Sequence, residues 1–440
     1  MLIRLKKLVL LLGDFAFSEL ALALALLIRY PRTEFPNYWP EHWPHFLLIS
    51  LIWLIFFYIN GLYDLNLRIG RKFFRAIISA SLLTALVATL YFYFNTQTTI
   101  TPKTNLVIFL ACYFFLFIFW RFLFQALVSS FIPQAGLAII GFNARSEELV
   151  KELKERSGSG YRLAVIFKNQ TELSQLASKI KQENISAIVI VDDFGQSANL
   201  RQALFDCLAY QITIYNYPDF YEALTGKIPL EAIDANWFLE NLQSGRKNYF
   251  ITMKRGFDVV GALIILIASL VFWPLIALAI KLSSRGSVFF RQIRVGQNGR
   301  TFSMIKFRTM REENNDHSLT VAGDKRITPV GSFLRGTRLD EIPQVLNIIK
   351  GEMSFIGPRP ERPEIIAELE QAIPFYKTRL LIKPGLTGWD QISGHYHSAS
   401  LADSREKLQY DLFYLKQRSL YLDLSISLKT LATMLSRGGR

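Results

Sequence analysis

Cysteine is scarce in this chain, with two residues among 440. Cys112 lies in an apolar run and Cys207 in a segment with helical spacing, so we expect no disulfide between them. The sequence contains no CxxC pair and no cysteine and histidine residues at the spacing of a zinc site. A disulfide-stabilised scaffold and a structural zinc site are therefore excluded.

Charged residues are also few, because Asp, Glu, Lys and Arg together make up 20% of the chain while hydrophobic residues make up 51%. This composition is apolar for a soluble protein and indicates membrane segments. The formal net charge of +14 suits the anionic cytoplasmic leaflet of a membrane, and it also suits nucleotides and phosphorylated lipids. The basic residues are dispersed and no RNA- or DNA-binding motif is present, so nucleic acid is not an expected partner.

Glycine is missing where a dinucleotide-binding loop would need it. Residues 135–240 alternate short apolar runs with helical segments, which indicates a parallel, doubly wound sheet. The first turn is "GFNARS", in which Asn143 and Ser146 follow Gly141 at the later glycine positions. Side chains there hinder the approach of the backbone to a pyrophosphate, so we predict a Rossmann-like scaffold without a dinucleotide. A small ligand is left open.

Four long apolar runs lie near positions 8–28, 46–63, 74–94 and 105–128. Each has about the 20 residues that a helix needs to cross a hydrocarbon core, and Asp14 within the first is expected to face another helix. Basic residues cluster before the first run and after the second, at Arg4, Lys6, Lys7, Arg68, Arg71, Lys72 and Arg75. The intervening segments 29–45 and 95–104, taken as loops, hold fewer. This distribution predicts a four-helix transmembrane domain with both ends in the cytoplasm.

A fifth apolar run lies in "KRGFDVVGALIILIASLVFWPLIALAIKLSSR", residues 254–285. Hydropathy alone slightly favours a spanning helix. Basic residues on both sides of the run and Pro274 within it favour instead a re-entrant helix over about 256–282, which enters and leaves the membrane on one face. A spanning helix would place the rest of the chain outside the cytoplasm, so the chemistry of that part decides between the two.

Two adjacent carboxylates, Asp340 and Glu341, stand in "RLDEIPQ", before a segment of helical spacing that Gly351 ends. Taken alone, Asp340 is explained equally well as the N-cap of that helix. Basic residues on nearby segments favour a polyphosphate site instead; they are Lys306, Arg308, Arg335, Arg338, Arg359 and Arg362. In such a site one acid can hold a divalent cation that bridges phosphates, and the other can attack phosphorus as a nucleophile.

The chain resembles the polyprenyl-phosphate phosphoglycosyltransferases, which are bacterial sugar transferases that start capsule, exopolysaccharide and O-antigen synthesis. The resemblance rests on "KFRTM" (306–310), "RLDEIPQVLNIIKGEMSFIGPRP" (338–360), "PGLTGWDQISG" (384–394) and "YDLFYLKQRSLYLDLSISLKT" (410–430). The last segment is amphipathic and aromatic, which predicts helices that lie on a membrane surface.

Larger members of that family carry four transmembrane helices and a Rossmann-like domain ahead of a monotopic catalytic unit, so the resemblance covers the whole chain. It implies a membrane protein of mixed fold with three domains. These are a transmembrane bundle over 1–130, a Rossmann-like α/β domain over 131–250, and an α/β-containing catalytic domain with the re-entrant helix over 251–440.

The resemblance also implies the chemistry. Asp340 looks like the family's nucleophile, Glu341 like the residue that helps to bind Mg²⁺, Arg335 and Arg359 like its phosphate-binding arginines, and Pro274 like the proline that breaks its re-entrant helix. The implied substrates are a UDP-sugar and a polyprenyl phosphate such as undecaprenyl phosphate. The sugar 1-phosphate passes through a covalent aspartyl intermediate and UMP is released. A cytoplasmic UDP-sugar in turn favours the re-entrant topology.

The expected location is the bacterial inner membrane, among its lipids, with the catalytic domain on the cytoplasmic face; a homodimer is left open. Two other functions compete with this interpretation. A non-catalytic scaffold or regulator of polysaccharide assembly would not require the acidic pair and the arginines to be intact together, and here they are. A sugar-modifying enzyme that uses a nucleotide cofactor would require the complete glycine fingerprint that residues 141–146 lack.

Overall fold

The structure, a computed structural model, describes residues 2–63, 69–95, 102–131, 134–156, 160–191, 198–242, 248–311, 324, 326–393 and 400–435. These residues form two compact units, Met1–Leu224 and Thr225–Arg440. The division into three domains at residues 130 and 250 stays a prediction.

The first unit begins with four long apolar helices: α1 (Leu2–Arg29), α2 (Phe35–Ile59), α3 (Arg71–Phe94) and α4 (Pro102–Phe131). All four are long and apolar enough to cross a membrane, which confirms the prediction from the apolar runs. The expected loop over 29–45 is wrong, because α2 already begins at Phe35. Pro36 lies in the first turn of α2, where the missing N–H costs no helical hydrogen bond, and Pro40 and Pro44 follow inside the helix.

An ion pair is buried between the first and last of these helices. Asp14 Oδ2 of α1 lies 2.7 Å from Arg121 Nη2 of α4, and Arg121 Nη1 donates to the carbonyl of Leu62 at 2.9 Å. Gly13 packs so closely against Trp120 that an added Cβ would lie 2.0 Å from the indole ring. Charges in apolar surroundings are costly unless paired, so this contact fixes α1 against α4, as expected for Asp14.

A four-stranded parallel sheet follows the helices. Its strands are β1 (Ala135–Ile140), β2 (Tyr161–Phe167), β3 (Ile185–Ile190) and β4 (Thr213–Asn216), in the order β2-β1-β3-β4. The intervening helices are α5 (Ala144–Glu155), α6 (Leu176–Gln182) and α7 (Ala198–Asp206), and α8 (Tyr217–Thr225) follows β4. The predicted alternation of strands and helices is confirmed, since period and length of the apolar runs identify each element.

The "GFNARS" turn begins α5. The Asn143 side chain accepts hydrogen bonds from the backbone N–H groups of Arg145 and Ser146, and the Asn143 N–H donates to Ser146 Oγ at 3.0 Å. The two residues that replace glycines therefore form a capping box, which satisfies N–H groups at the start of the helix.

The second unit contains helices and short strands. The helices are α9 (Ala235–Asn241), α10 (Asn248–Leu270), α11 (Trp273–Ser283), α12 (Pro329–Thr337), α13 (Val345–Lys350), α14 (Pro363–Ala372), α15 (Leu401–Gln417) and α16 (Leu420–Leu435). The strands are β5 (Phe289–Val295), β6 (Thr301–Phe307), β7 (Ser354–Ile356) and β8 (Gly385–Thr387). β5 and β6 form an antiparallel hairpin around "GQNG", and β7 pairs with β8 in parallel.

The main core of this unit is built around α15. Leu408, Leu412 and Leu415 of α15 are buried together with Ile228 and Ile356. The prediction that the whole tail lies on a surface is therefore wrong for α15, because its apolar side chains fill the core. α16 exposes Tyr421, Leu424 and Leu431, as a surface-lying amphipathic helix would.

The fifth apolar run forms a bent pair of helices. α10 and α11 differ in direction by 63° across the short break after Leu270. Pro274 lies in the first turn of α11 rather than inside a continuous helix. Because proline has no N–H for the Leu270 carbonyl, the chain can turn here without losing a further helical hydrogen bond. The bend by itself fits either a broken span or a re-entrant loop.

Candidate active site

The acidic pair lies in a short 3-10 helix, Leu339–Gln344, between α12 and α13. Arg338 joins α12 to this helix with a φ of 58°, in the left-handed region that residues other than glycine seldom adopt. Such strained backbone gathers at functional sites. Gly351, with a φ of 87°, ends α13 as predicted.

Asp340 does not cap a helix. Arg338 occupies the N-cap position of the 3-10 helix and Gln344 that of α13, which excludes the N-cap alternative. Asp340 is 8% exposed, and its Oδ1 atom has no hydrogen-bond partner among the residues that the structure describes. A buried carboxylate oxygen without a partner is costly in the free protein, and it leaves an acceptor available to a ligand.

Glu341 lies among three cations. Its Oε1 atom is 2.8 Å from Lys306 Nζ, 3.6 Å from Arg359 Nη2 and 3.9 Å from Arg338 Nη1, and its side chain is 12% exposed. Lys306 comes from β6, whereas Arg359 follows β7, so the fold brings together residues that are distant in sequence.

The two carboxyl groups differ in pKa because their surroundings differ. Burial raises the pKa of Asp340, and the charge of Glu341 raises it further, while Lys306, Arg335 and Arg338 act in the opposite direction. Burial also disfavours ionised Glu341, but Lys306 and Arg359 outweigh it and lower the pKa of Glu341 to about 2. Neighbouring acids whose pKa values are driven apart are suited to separate chemical roles.

Arg335 is held beside the pair by α12. Its Nε atom donates to Thr309 Oγ1 at 2.9 Å, and its charge lowers the pKa of Asp340. The approach of α12 to Thr309 depends on Gly331, where an added Cβ would lie 1.9 Å from the Thr309 carbonyl oxygen. The structure therefore gathers Lys306, Arg335 and two further arginines, Arg338 and Arg359, around the dyad.

For two of the predicted phosphate ligands, Arg308 and Arg362, the structure gives neighbours other than the dyad, and their role as ligands stays a prediction. Arg308 is buried, and its Nη2 atom donates to the carbonyl and hydroxyl oxygens of Ser284 at 2.9 and 3.1 Å, which ties the end of β6 to the end of α11. Arg362 occupies the N-cap position of α14, where its charge contributes to lowering the pKa of Arg294, after burial. The Arg308 guanidinium therefore makes a contact within the protein, to the backbone and side chain of Ser284.

Two side chains of α10, Arg255 and Asp258, connect the bent helix to the segments beside the dyad, which the sequence pattern did not predict. Arg255 donates to the carbonyls of Ile348 and Ile349 at 2.6 and 2.7 Å, at the end of α13. Asp258 accepts from the Ser354 hydroxyl and the Phe355 N–H, both at 3.0 Å, at the start of β7. The signal was present: charged side chains in the first part of an otherwise apolar helix need partners.

The donor set at the dyad fits a magnesium ion bound with a diphosphate. Among the residues that the structure describes, no three His, Cys, Asp or Glu side chains form a self-sufficient metal site. Mg²⁺ is commonly held by one or two carboxylates plus substrate phosphates, and here Glu341 is ionised and Asp340 Oδ1 is unpartnered. Arg359, 3.6 Å from Glu341, stands where it can contact the same phosphates.

Comparison with known proteins finds relatives over this unit and beyond it. The family model described as "Bacterial sugar transferase" matches residues 249–437. The UDP-N-acetylgalactosamine-undecaprenyl-phosphate N-acetylgalactosaminephosphotransferase of Aeromonas hydrophila is 38% identical over 238 residues, 53% of this chain and 55% of that protein. The UDP-glucose:undecaprenyl-phosphate glucose-1-phosphate transferase of Xanthomonas campestris is 36% identical over 273 residues, 60% of this chain and 56% of that protein.

The match to these two relatives thus spans little more than half of their length. A shorter relative is covered more fully. The exopolysaccharide production protein ExoY of Sinorhizobium fredii is 41% identical over 204 residues, which are 42% of this chain and 87% of that protein. With the dyad and its cations inside the matched region, the chain belongs to the bacterial sugar transferase family.

Proposed function

We propose that the protein transfers a sugar 1-phosphate from a UDP-sugar to a membrane polyprenyl phosphate, and so starts the synthesis of a surface polysaccharide. The observation that carries this proposal is the division of the dyad. Glu341 is surrounded by cations and has a pKa of about 2, whereas Asp340 is buried with a raised pKa and an unpartnered oxygen. The names of the relatives, which are undecaprenyl-phosphate sugar phosphotransferases, support the same reaction.

The first step is attack by an Asp340 carboxylate oxygen on the sugar-bearing phosphorus of the UDP-sugar. The bond between that phosphorus and the oxygen of the uridine phosphate breaks, and UMP leaves with the electron pair. Asp340 suits this role because its higher pKa makes it the more basic carboxylate of the two, and because Glu341 is engaged with Lys306. The product is an aspartyl phosphosugar.

The second step uses the same phosphorus. A phosphate oxygen of the polyprenyl phosphate attacks it, the bond to Asp340 breaks, and the carboxylate is regenerated. The lipid product is a polyprenyl diphosphate sugar. Covalent catalysis lets two unlike substrates, one in water and one in the bilayer, react with the protein in turn instead of meeting in one encounter.

The basic residues supply charge neutralisation. Arg335 and Arg338 act on Asp340, and Lys306 and Arg359 on Glu341, so both ends of a diphosphate find cations next to the dyad. Phosphoryl transfer depends mainly on such positioning and neutralisation. Glu341 would hold a magnesium ion together with the diphosphate, and that ion would further neutralise the charge of the leaving group.

The bent helix pair fits a re-entrant segment in the bacterial inner membrane. Lys254 and Arg255 stand near one end and Lys281 and Arg285 near the other, and positive charge favours the cytoplasmic face at both ends. In this topology Asp340 stays on the side that holds the UDP-sugar. Arg255 and Asp258 then link the segment in the bilayer to α13 and β7 at the site. The sheet over residues 135–216 serves as a Rossmann-like cytoplasmic scaffold.

UMP release tests this function. The purified full-length chain is incubated with Mg²⁺ and single UDP-sugars, among them UDP-glucose and UDP-N-acetylgalactosamine, with and without undecaprenyl phosphate. We expect about one UMP per protein without the lipid and continuous release with it. Release of UDP would indicate transfer of the sugar without its phosphate, and a folded protein that releases no UMP from any UDP-sugar would favour the scaffold alternative.

A further inference from the structure

The segment that carries Arg359 is held from behind by an unbroken row of hydrogen bonds. The carbonyl oxygens of four consecutive residues each accept one, with these pairs: Pro358 from Gly385 N at 2.9 Å, Arg359 from Arg379 Nη2 at 2.9 Å, Pro360 from Arg294 Nη1 at 3.0 Å, and Glu361 from Val295 N at 3.0 Å. Two of the four donors are arginine side chains, so the contacts of residues 358–361 differ from ordinary strand pairing.

The two prolines of this segment make its position depend on the carbonyl contacts. Pro358 and Pro360 flank Arg359, and neither has an N–H group to donate. Their fixed φ angles stiffen the segment, but the hydrogen bonds that the carbonyls accept chiefly determine its position relative to the dyad. The Arg359 side chain is 37% exposed, and its Nη2 atom lies 3.6 Å from Glu341 Oε1. The direction of this side chain therefore depends on the position of its own backbone.

Of the two arginines that donate to residues 358–361, Arg379 is the more deeply buried. Its side chain is 3% exposed, and each of its three nitrogens has a different partner: Nε donates to Asp411 Oδ2 at 2.8 Å, Nη1 to the Tyr376 hydroxyl at 2.9 Å, and Nη2 to the Arg359 carbonyl. Asp411 is equally buried and offsets the charge. Arg379 is therefore bound to its own anion and directs only one N–H towards the segment that faces the substrate.

We propose that Arg379, fixed by Asp411 and Tyr376, is a positioning residue that aims the Arg359 guanidinium at the substrate diphosphate. This inference rests on the proposed function, in which Arg359 contacts the diphosphate. A guanidinium is suited to it because its planar fork reaches three partners in three directions. A lysine keeps the charge but concentrates its donors on one nitrogen, so it cannot hold the carboxylate, the phenol and the carbonyl together.

A double-mutant cycle in the full-length chain tests the proposal, with kcat/KM for UMP release as the readout. Arg379→Lys is expected to reduce kcat/KM by about 10²-fold, the effect of misplacing a group by about an ångström. In an Arg359→Ala background the same substitution should change kcat/KM by less than about twofold, because the residue it positions is gone. Equal losses in both backgrounds would overturn the proposal.

Two further variants separate positioning from general damage. Tyr376→Phe removes one acceptor of Arg379 without changing charge, and its smaller loss should also disappear in the Arg359→Ala background. Lys377→Gln alters an exposed side chain of the same 3-10 helix, which pairs with Glu370, and should leave kcat/KM unchanged. A Tyr376→Phe loss that persists without Arg359 would contradict the role.

If the wild-type chain releases no UMP, the proposed function fails. Amide hydrogen exchange then tests separately whether Arg379 holds residues 358–361 in place. The Gly385 and Val295 amides donate to the Pro358 and Glu361 carbonyls, and they should exchange faster in Arg379→Lys. The Arg308 amide, bonded to the Val288 carbonyl, serves as the internal control and should be unaffected. Unchanged exchange at Gly385 and Val295 would show that Arg379 does not hold this segment.

Discussion

At the scale of single residues, the difference between Asp340 and Glu341 arises from their surroundings and not from their chemistry. Successive residues of the 3-10 helix point in different directions, so Glu341 meets Lys306 at 2.8 Å while Asp340 Oδ1 is buried without a partner. Burial raises the pKa of Asp340, and the cations around Glu341 lower its pKa. Glu341 is held as an anion by its cations, and Asp340 is the reactive carboxylate of the proposed mechanism.

The raised pKa of Asp340 predicts how the rate of UMP release falls at low pH. Only the carboxylate attacks phosphorus, so the first-turnover rate of UMP release should fall on acidification with a midpoint above 3.8, the ordinary aspartate value. Glu341, with a pKa of about 2, remains ionised through that range. Rapid-quench measurement of UMP against pH gives the midpoint.

Arg338→Gln provides the matched comparison for this profile. Arg338 lowers the pKa of Asp340, so removing its charge should move the midpoint to higher pH. A midpoint at or below 3.8 in the wild-type chain, or a downward movement in Arg338→Gln, would contradict the assignment of this fall in rate to Asp340.

At the scale of elements, the proposed topology makes the bent pair α10 and α11 the feature that determines on which side of the membrane the site lies. Arg255 and Asp258 bind α10 to the segments before and after the Glu352–Met353 turn, so the direction of this helix and the position of the catalytic segments are coupled. The break before Trp273 is where proline removes a helical hydrogen bond.

Replacing Pro274 with Leu should straighten this pair. In a chain whose Cys112 and Cys207 are replaced by Ser, single cysteines at Tyr249 and Arg285, both exposed, are labelled with a membrane-impermeant reagent in oriented vesicles. We expect both positions to react only from the cytoplasmic side. Pro274→Leu should make a fraction of Arg285→Cys molecules reactive from outside and reduce activity by the same fraction. Outside labelling at Arg285→Cys with Pro274 intact would refute the re-entrant topology.

At the scale of the whole molecule, the second unit begins earlier than the family match. Ile228 and Ile233 are buried in its core, the Ile228 N–H donates to the Gln409 carbonyl at 3.1 Å, and Trp389 Nε1 donates to the Gly226 carbonyl at 2.9 Å. Residues 226–233 therefore contribute to the core around α15.

Two fragments test this extent. A fragment of residues 225–440 should unfold at a higher temperature in detergent than one of residues 251–440, because the shorter one exposes the surface that Ile228 and Ile233 cover, about 2 kcal/mol for each side chain. Differential scanning fluorimetry gives the two midpoints, and UMP release should be retained by the longer fragment. Equal midpoints would mean that residues 225–242 are not part of the unit's core.

Sequence patterns predicted what depends on local periodicity. The four apolar helices and the parallel sheet follow from run length and from the alternation of strand and helix patterns. Patterns did not predict what depends on distant contacts. The start of α2 among prolines, the burial of Arg308 on Ser284 and the core position of α15 are decided by packing partners far along the chain. The cluster at the dyad was found because its residue types suit polyphosphate, and the phosphate-binding role of Arg308 and Arg362 stays a prediction.

Covalent capture on Asp340 tests the central claim most directly. The full-length chain is incubated with Mg²⁺ and the UDP-sugar that supports UMP release, without polyprenyl phosphate, and is then quenched and analysed by intact and peptide mass spectrometry. The account predicts a mass increase of one sugar phosphate on the peptide that contains Asp340, its loss on addition of undecaprenyl phosphate, and neither adduct nor UMP from Asp340→Asn. Wild-type rates of UMP release by Asp340→Asn, or an adduct on another residue, would contradict it.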